Sequence, residues 1–460
     1  MNDFRHRIVR TLRCKNLNVP GTLGKLTSSI GKLRAEIGNI TTVYLGHHYT
    51  IRDIDVLSDS HEHLELILEA VSQLDGISVI QVIDDVLELH KNGKIKMVNT
   101  SPIKTLTDLR RVYTPGVAEV CNMIKDKPIW KDAYTTIPYS IAIVTDGTAI
   151  LGLGNIGSVA GMPVMEGKAA LIQELAGVSG IPILLDTVDS DEIVEIVKHI
   201  SLTFGGIHLE DIASPRCFYI QDRLEKELDI PVMHDDQQAT AVVVLAVVIN
   251  ACKLSNIALE EACIGLIGLG AAGLAIGKLL LRYTGKPTLG TAKTEVSKQR
   301  HAVHGGIQSN LEEIMRKADI VIGTSGVPGL IRQEMVKKGQ IILALSNPQP
   351  EILPELALES GAVIAADGKS VNNLIGFPGI WRGTLDAKAE KITNEMYREA
   401  ALAIVKSTNS GELVPNCLDP NVHLAVTHAV ARAAIESGVA RRKLDTDYFE
   451  CEDIKKFPAI

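Results

Sequence analysis

Basic charge, aromatic rings, paired cysteines and long apolar runs are all scarce in this 460-residue chain. The formal net charge is -8 and aromatics make up 4%. Nucleic-acid binding needs a basic footprint and stacking rings, so that class of partner is excluded. Seven cysteines (Cys14, Cys121, Cys217, Cys252, Cys263, Cys417, Cys451) are scattered without any C-x-x-C pair. That pattern favours reduced thiols in a reducing compartment. The longest apolar run, residues 239–252, is too short to span a bilayer and predicts a buried helix. Arg5, His6 and Arg7 have no apolar stretch behind them, so no signal peptide is expected. The expectation is a cytoplasmic protein with no nucleic acid and no membrane among its partners.

What is present is a soluble composition, 46% hydrophobic and 22% charged, in a chain long enough for about three domains. The first stretch reads as strand, helix, two strands, helix, strand. A strand at 7–12 meets the turn Asn18-Val19-Pro20-Gly21. Leu23, Leu26, Ile30, Leu33 and Ile37 then fall at helical steps, and Gly38-Asn39 ends the helix. Strands at 40–45 and 49–56 follow, then a helix with Leu64, Ile67, Leu68 and Val71 inward, then a strand at 78–83. Lys91, Lys94 and Lys96 mark a polar linker.

Two acidic stretches stand out further on. Leu209-Glu210-Asp211 and His234-Asp235-Asp236 each follow a short apolar strand, predicted at 202–207 and 230–233. Ligands of an open parallel sheet sit outside the carboxyl ends of its strands, so both pairs are expected in one crevice. Crowded carboxylates need a cation, and oxygen ligands without cysteine suit Mg²⁺ or Mn²⁺. The competing reading is that the acids merely cap two helices. Lys168 is placed in the first turn of a helix, where the dipole and burial would disfavour its charge and make it a general base; a solvated surface lysine is the alternative. Tyr113 is placed beside a helix start, with Pro115 near the first helical position.

G-x-G-x-x-G occurs twice. At Gly152-Leu153-Gly154-Asn155-Ile156-Gly157 no helix is expected to follow, because Gly161, Met162 and Pro163 interrupt, so this stretch is predicted to be an active-site loop. Gly268-Leu269-Gly270-Ala271-Ala272-Gly273 follows a strand at 263–267 and opens a helix, the context of a pyrophosphate turn. The next strand, at 287–291, ends in Ala292-Lys293-Thr294, without the ribose-reading acid; Lys293 would favour NADP⁺ or dual use. Strands at 319–324 and 341–345 run into Ser325-Gly326 and Ser346-Asn347-Pro348, small polar loops suited to a nicotinamide or substrate edge.

These stretches, with Tyr113-Thr114-Pro115-Gly116-Val117, residues 164–168 and Asn372-Asn373-Leu374-Ile375-Gly376-Phe377-Pro378-Gly379, resemble the malic enzymes, the short bacterial form in particular. The first stretch resembles an ACT domain through its Val-Pro-Gly-x-Leu turn. The resemblance implies an α/β fold with three parts: a ferredoxin-like βαββαβ regulatory domain (1–90), an α/β malate- and metal-binding domain (91–239), and a Rossmann-like NAD(P)-binding domain with C-terminal helices (240–460). It implies oxidative decarboxylation of L-malate to pyruvate and CO₂ with reduction of NAD⁺ or NADP⁺. Glu210, Asp211 and Asp236 would hold Mg²⁺ or Mn²⁺, with Asp235 their acidic catalytic neighbour. Lys168 would take the C2 hydroxyl proton and Tyr113 would protonate C3. Asn347, Asn372 and Asn373 would hold the substrate; Gly268, Gly270, Ala271, Ala272, Gly273, Lys293, Ser325 and Asn347 would meet the cofactor. A homo-oligomer is expected, and a small effector at the ACT-like domain. Ala149 stands where larger relatives carry an arginine for the substrate carboxylate, and Gln238-Ala239 where short relatives often have His-Gly. Two competing functions remain: a malolactic-type lyase releasing lactate, and a non-catalytic metabolite-binding regulator.

Overall fold

A computed structural model describes residues 8–453, in two compact units that divide after Lys96. The first holds β1 (Ile8–Leu17), α1 (Thr22–Lys32), β2 (Glu36–Leu45), β3 (Tyr49–Ser58), α2 (His61–Ser72), β4 (Ile77–Ile83) and a last turn, α3 (Asp85–His90). Its antiparallel sheet has the order β2-β3-β1-β4. Leu26 and Ile30 of α1 and Ile67 and Val71 of α2 pack with Leu12, Cys14, Ile54 and Val56 of the sheet. α1 stops earlier than expected, at Lys32, and Ile37, Gly38 and Asn39 belong to β2. Arg34 takes the left-handed conformation (φ 63°) that closes a helix, a place expected for glycine.

The second unit opens with α4 (Leu106–Val112), α5 (Val117–Asp126) and α6 (Lys131–Tyr134), none of which buries a side chain. A parallel sheet follows from β5 (Ser140–Thr145), α7 (Ser158–Ala176), β6 (Ser179–Leu184), α8 (Ser190–Ile200), β7 (Gly206–Leu209), α9 (Arg216–Glu227) and β8 (Val232–His234), in the order β6-β5-β7-β8. Ala142, Val144, Ile207 and Leu209 form its core with Val194, Val197, Ile220 and Leu224 of the helices. β7 starts later than expected, because residues 201–203 make a helical turn that leaves Leu202 82% exposed.

α7 corrects a second expectation: it begins directly after Gly157 and runs through Gly161 and Pro163. Burial of Met165, Ala169, Ile172 and Leu175 offsets the ~3 kcal/mol that an internal proline costs. Gly161 is a close-packing glycine, since a Cβ there would lie 2.6 Å from Ile150 Cδ1.

After a wide turn at Asp235–Ala239, α10 (Thr240–Ser255) buries every residue from Ala241 to Cys252. The segment Asp235–Ser255 is long and apolar enough for a membrane span by composition, and it is an interior helix here. The chain then builds β9 (Ile264–Ile267), α11 (Ala271–Thr284), β10 (Leu289–Thr291), α12 (Glu295–Val303), β11 (Ile307–Gln308), α13 (Leu311–Lys317), β12 (Ile320–Gly323), β13 (Ile341–Ala344), α14 (Pro354–Glu359) and β14 (Ile364–Asp367). All six strands are parallel, in the order β11-β10-β9-β12-β13-β14. This is the doubly wound dinucleotide order, with its switch point between β9 and β12. α15 (Phe377–Asp386), α16 (Asn394–Lys406), α17 (Pro420–Glu436) and α18 (Thr446–Glu450) close the unit. Gly379 and Gly383 let α15 lie against α17, as a Cβ at Gly383 would lie 2.4 Å from Thr427 O.

Candidate active site

Lys168 lies mid-way along α7, not in a first turn. Its Nζ donates to Asp235 Oδ2 at 2.7 Å and sits 3.2 Å from Glu210 Oε1. The Phe377 ring centroid is 4.2 Å from the same Nζ. Burial alone would push the ammonium pKa down, but Asp235 and Glu210 outweigh it and hold Lys168 above its ordinary value. The neutral resting lysine expected from a helix start is therefore corrected: the dipole effect is absent at this position and the carboxylates win. Asp235 Oδ2 also accepts from Asn373 Nδ2.

Beside this ion pair the carboxylates crowd. Glu210, Asp211 and Asp236 each present an oxygen, all within 4.8 Å of one another. Burial would raise Glu210, but Lys168 and His208 draw it down to about 2. Burial, then the charges of Glu210 and Asp236, pushes Asp211 up to about 9. Burial, then Glu210 and Asp235, pushes Asp236 up to about 7. Asp211 Oδ2 is buried without a hydrogen-bond partner. A second trio, His208, Glu210 and Asp235, is equally tight, but the Lys168 ammonium already lies among its carboxylates. Glu210, Asp211 and Asp236 are thus the set that fits a hard divalent cation.

His208 was passed over in the sequence, although it shares a strand face with Glu210 two residues on. It is fully buried, and Trp381 Nε1 donates to its Nδ1 at 2.8 Å. An indole nitrogen only donates, so Nδ1 must accept and the ring proton sits on Nε2. Nε2 then donates to Glu210 Oε2 at 2.6 Å, fixing that carboxylate. Gly206 makes room for this: a Cβ there would lie 2.3 Å from Trp381 Cζ3.

The glycine-rich edge of the second sheet is built differently. Gly268 has φ 102°, and a Cβ on it would lie 2.4 Å from Thr324 O. A Cβ on Gly273 would lie 2.0 Å from Gly268 O, while Gly270 has no atom within 4 Å of that position. Two glycines serve close packing, then, and the middle one leaves an open approach to the start of α11, where Ala271 and Ala272 offer first-turn amides. Ser325 and Ser346 are tied to Glu351. Asn347 is exposed, and its carbonyl lies where Gly152 packs.

Asn372 uses its Oδ1 to cap the turn at Leu374 N. Lys293 is exposed beyond β10. Tyr113 is 66% exposed at the end of α4, with α5 starting only at Val117, later than expected.

A doubly wound dinucleotide sheet beside a lysine–carboxylate cluster defines an oxidoreductase with room for a hard cation. Comparison with known proteins makes this specific. A family model described as the malic enzyme N-terminal domain matches residues 92–225. NAD-dependent malic enzyme 1 of Bacillus subtilis is 55% identical over 430 residues, covering 93% of this chain and 98% of its own. The bifunctional malic/malolactic enzyme of the same organism is 43% identical over 395 residues, 79% of this chain and 96% of its own. The crystal structure of malic enzyme from Pyrococcus horikoshii matches with a TM-score of 0.74 at 40% identity, covering 80% of this chain and 93% of that one. The chain belongs to the malic enzyme family. Membership carries the family's activity, the NAD(P)-dependent oxidative decarboxylation of malate.

Proposed function

We propose that L-malate binds between the two sheet edges and that Lys168 and Asp235 together handle its C2 hydroxyl proton. The observation that carries this is the 2.7 Å bond from Lys168 to Asp235 inside the carboxylate cluster. Burial raises the Asp235 carboxyl, and Lys168, held charged by its carboxylate neighbours, must give up its own proton before it accepts that of the C2 hydroxyl. Asn373, donating to Asp235, holds that carboxylate in place. Glu210, Asp211 and Asp236 would hold Mg²⁺ or Mn²⁺, which when bound supplies Lewis-acid stabilisation of charge on the C2 oxygen. The nicotinamide, near Ser325 and Asn347, supplies the hydride acceptor. NAD⁺ is the working oxidant, as for the Bacillus subtilis relative at 55% identity; NADP⁺ is also accepted, since Ala292 and Lys293 set no carboxylate against a 2′-phosphate. Tyr113 delivers the final proton to C3. An initial-rate assay with malate and Mn²⁺ tests this: reduced cofactor and pyruvate should accumulate together. Lactate without reduced cofactor would establish the malolactic reading, which the bifunctional relative makes the specific rival.

Two further parts of the reading concern partners. The chain acts as a homodimer whose second copy covers α4 to α6, where Leu106, Tyr113, Ile129 and Tyr134 are all exposed by half or more. Sedimentation tests this, and a monomer active at full rate contradicts it. In the first unit a small effector, an amino acid, binds where Gly21 (φ 89°) precedes α1, whose start has no side-chain cap, although Val19 O already takes the Thr22 amide. Asn16, five residues earlier in β1, is buried with neither Oδ1 nor Nδ2 hydrogen-bonded. Deleting residues 1–96 and screening amino acids on the full chain is the test. Unchanged rates in the former and no shift in melting or kinetics in the latter end the regulatory reading.

A further inference from the structure

The carboxylate of Glu351 is fully buried, four residues beyond Asn347, and the reaction described above does not use it. Its Oε1 accepts three bonds: from the Ser325 amide at 2.7 Å, the Ser325 hydroxyl at 2.8 Å and the Ser346 hydroxyl at 2.5 Å. The Ser346 amide points to Oε2 at 3.4 Å. All four donors are uncharged. A buried carboxylate held this way is costly to keep, and an apolar residue would fill the space more cheaply.

The donors show what the charge accomplishes. Both hydroxyls give their protons to Glu351, so their oxygens are left to accept. Ser346 Oγ accepts the Gly326 amide at 2.8 Å and Ser325 Oγ accepts the Val327 amide at 3.1 Å. The main chain repeats the tie, with Ile331 N donating to Glu351 O at 3.0 Å. Glu351 therefore joins the loop after β12 to the loop after β13, across the carboxyl edge of the dinucleotide sheet. On one side Thr324 donates to Gly268 O in the pyrophosphate turn at 3.0 Å. On the other side Asn347 O lies where a Cβ on Gly152 would stand 2.5 Å away. The tie stands between the cofactor turn and the loop that leads to the lysine cluster.

We infer that Glu351 is a positioning residue for hydride transfer: it locks the two strand-end loops in the register that sets the nicotinamide against C2 of malate. This rests on reading that sheet edge as the cofactor site. The tests are Glu351→Ala and Glu351→Gln, measured with NAD⁺, malate and 2-deuterated malate at saturating Mn²⁺. Losing bonds to a charged acceptor should raise KM for NAD⁺ about tenfold in Glu351→Ala, and should enlarge the deuterium isotope effect. Glu351→Gln should fall between, since it keeps one acceptor oxygen but turns an NH₂ toward the Ser346 amide. Mn²⁺ affinity should not move. A lower melting temperature with unchanged KM for NAD⁺ and an unchanged isotope effect would show a structural role only and overturn the inference. If Glu351→Ala does not fold, a cycle of Glu351→Gln and Ser346→Ala decides: coupled effects on KM for NAD⁺ support it and additive ones overturn it. Normal NADH binding by a folded Gly270→Val variant would instead remove the cofactor-site reading, and the inference with it.

Discussion

Two stretches of this chain spell G-x-G-x-x-G, and a helix opens at or directly after each, yet their glycines meet different things. In the later one, Gly268 and Gly273 are pressed against Thr324 O and Gly268 O while Gly270 faces open space. In the earlier one the first glycine, Gly152, is the pressed one, against Asn347 O, and Gly154 and Gly157 have nothing within 4 Å of a Cβ. The following helix therefore does not tell them apart. The preceding strand does: β9 ends at Ile267, directly before Gly268, whereas residues 146–151 separate β5 from Gly152. In the later stretch the motif's own first glycine, Gly268, follows the strand directly, as a pyrophosphate turn requires; in the earlier one Gly147, outside the motif, is the glycine pressed between the end of β5 and the start of α7. The same contrast runs through the two sheet edges, one lined with carboxylates around an ammonium, the other with glycines and hydroxyls.

The sharpest way to separate the edges is to disable each alone. Asp236→Ala takes one oxygen from the acid-lined edge and should lower Mn²⁺-dependent malate turnover on the order of a thousandfold. NADH binding, read by fluorescence, should be unchanged; ordinary turnover at ordinary Mn²⁺ would sink the metal assignment. Gly270→Val is the converse. No protein atom lies within 4 Å of a Cβ at that position, so the fold should hold, while NADH binding weakens about a hundredfold and Mn²⁺ binding stays. Loss of both affinities at once would mean that the edges are not independent.

Lys168→Ala and Tyr113→Phe should fail at different steps. The lysine variant should lose malate oxidation. The tyrosine variant should still reduce cofactor and release pyruvate about tenfold or more slowly, as loss of a general acid predicts. Equal losses in oxaloacetate decarboxylation and pyruvate reduction for both variants would contradict separate roles.

Much of this was legible in the sequence where the signal is local. The strands of the dinucleotide sheet are short apolar runs ending in small residues, and Glu210, Asp211 and Asp236 stand directly at strand ends. What was hidden depends on distant partners. Gly161 and Pro163 look like helix breakers, and only the packing of α7 overrides them. The charge of Lys168 is set by Asp235, 67 residues away, so its position in the helix misled. His208 gains its role from Trp381, 173 residues on. Glu351 carries no local signal, because its partners come from two separate loops.

The mildest test goes to the glycine that distinguishes the earlier stretch. Gly152 has φ 76°, which a side chain disfavours, and a Cβ would also stand 2.5 Å from Asn347 O. Gly154 has φ 79° with nothing nearby, so Gly154→Ala reports the backbone strain alone. Gly152→Ala adds displacement of the Asn347 loop, which bears on the substrate side of the cofactor. We expect KM for malate to rise several-fold to about tenfold in Gly152→Ala relative to Gly154→Ala. NADH binding should change less than KM for malate, because the Gly268 turn is untouched and only the nicotinamide end borders the displaced loop. The reverse outcome, weakened NADH binding with KM for malate unmoved, would make the earlier stretch part of the cofactor site and undo the distinction between the two.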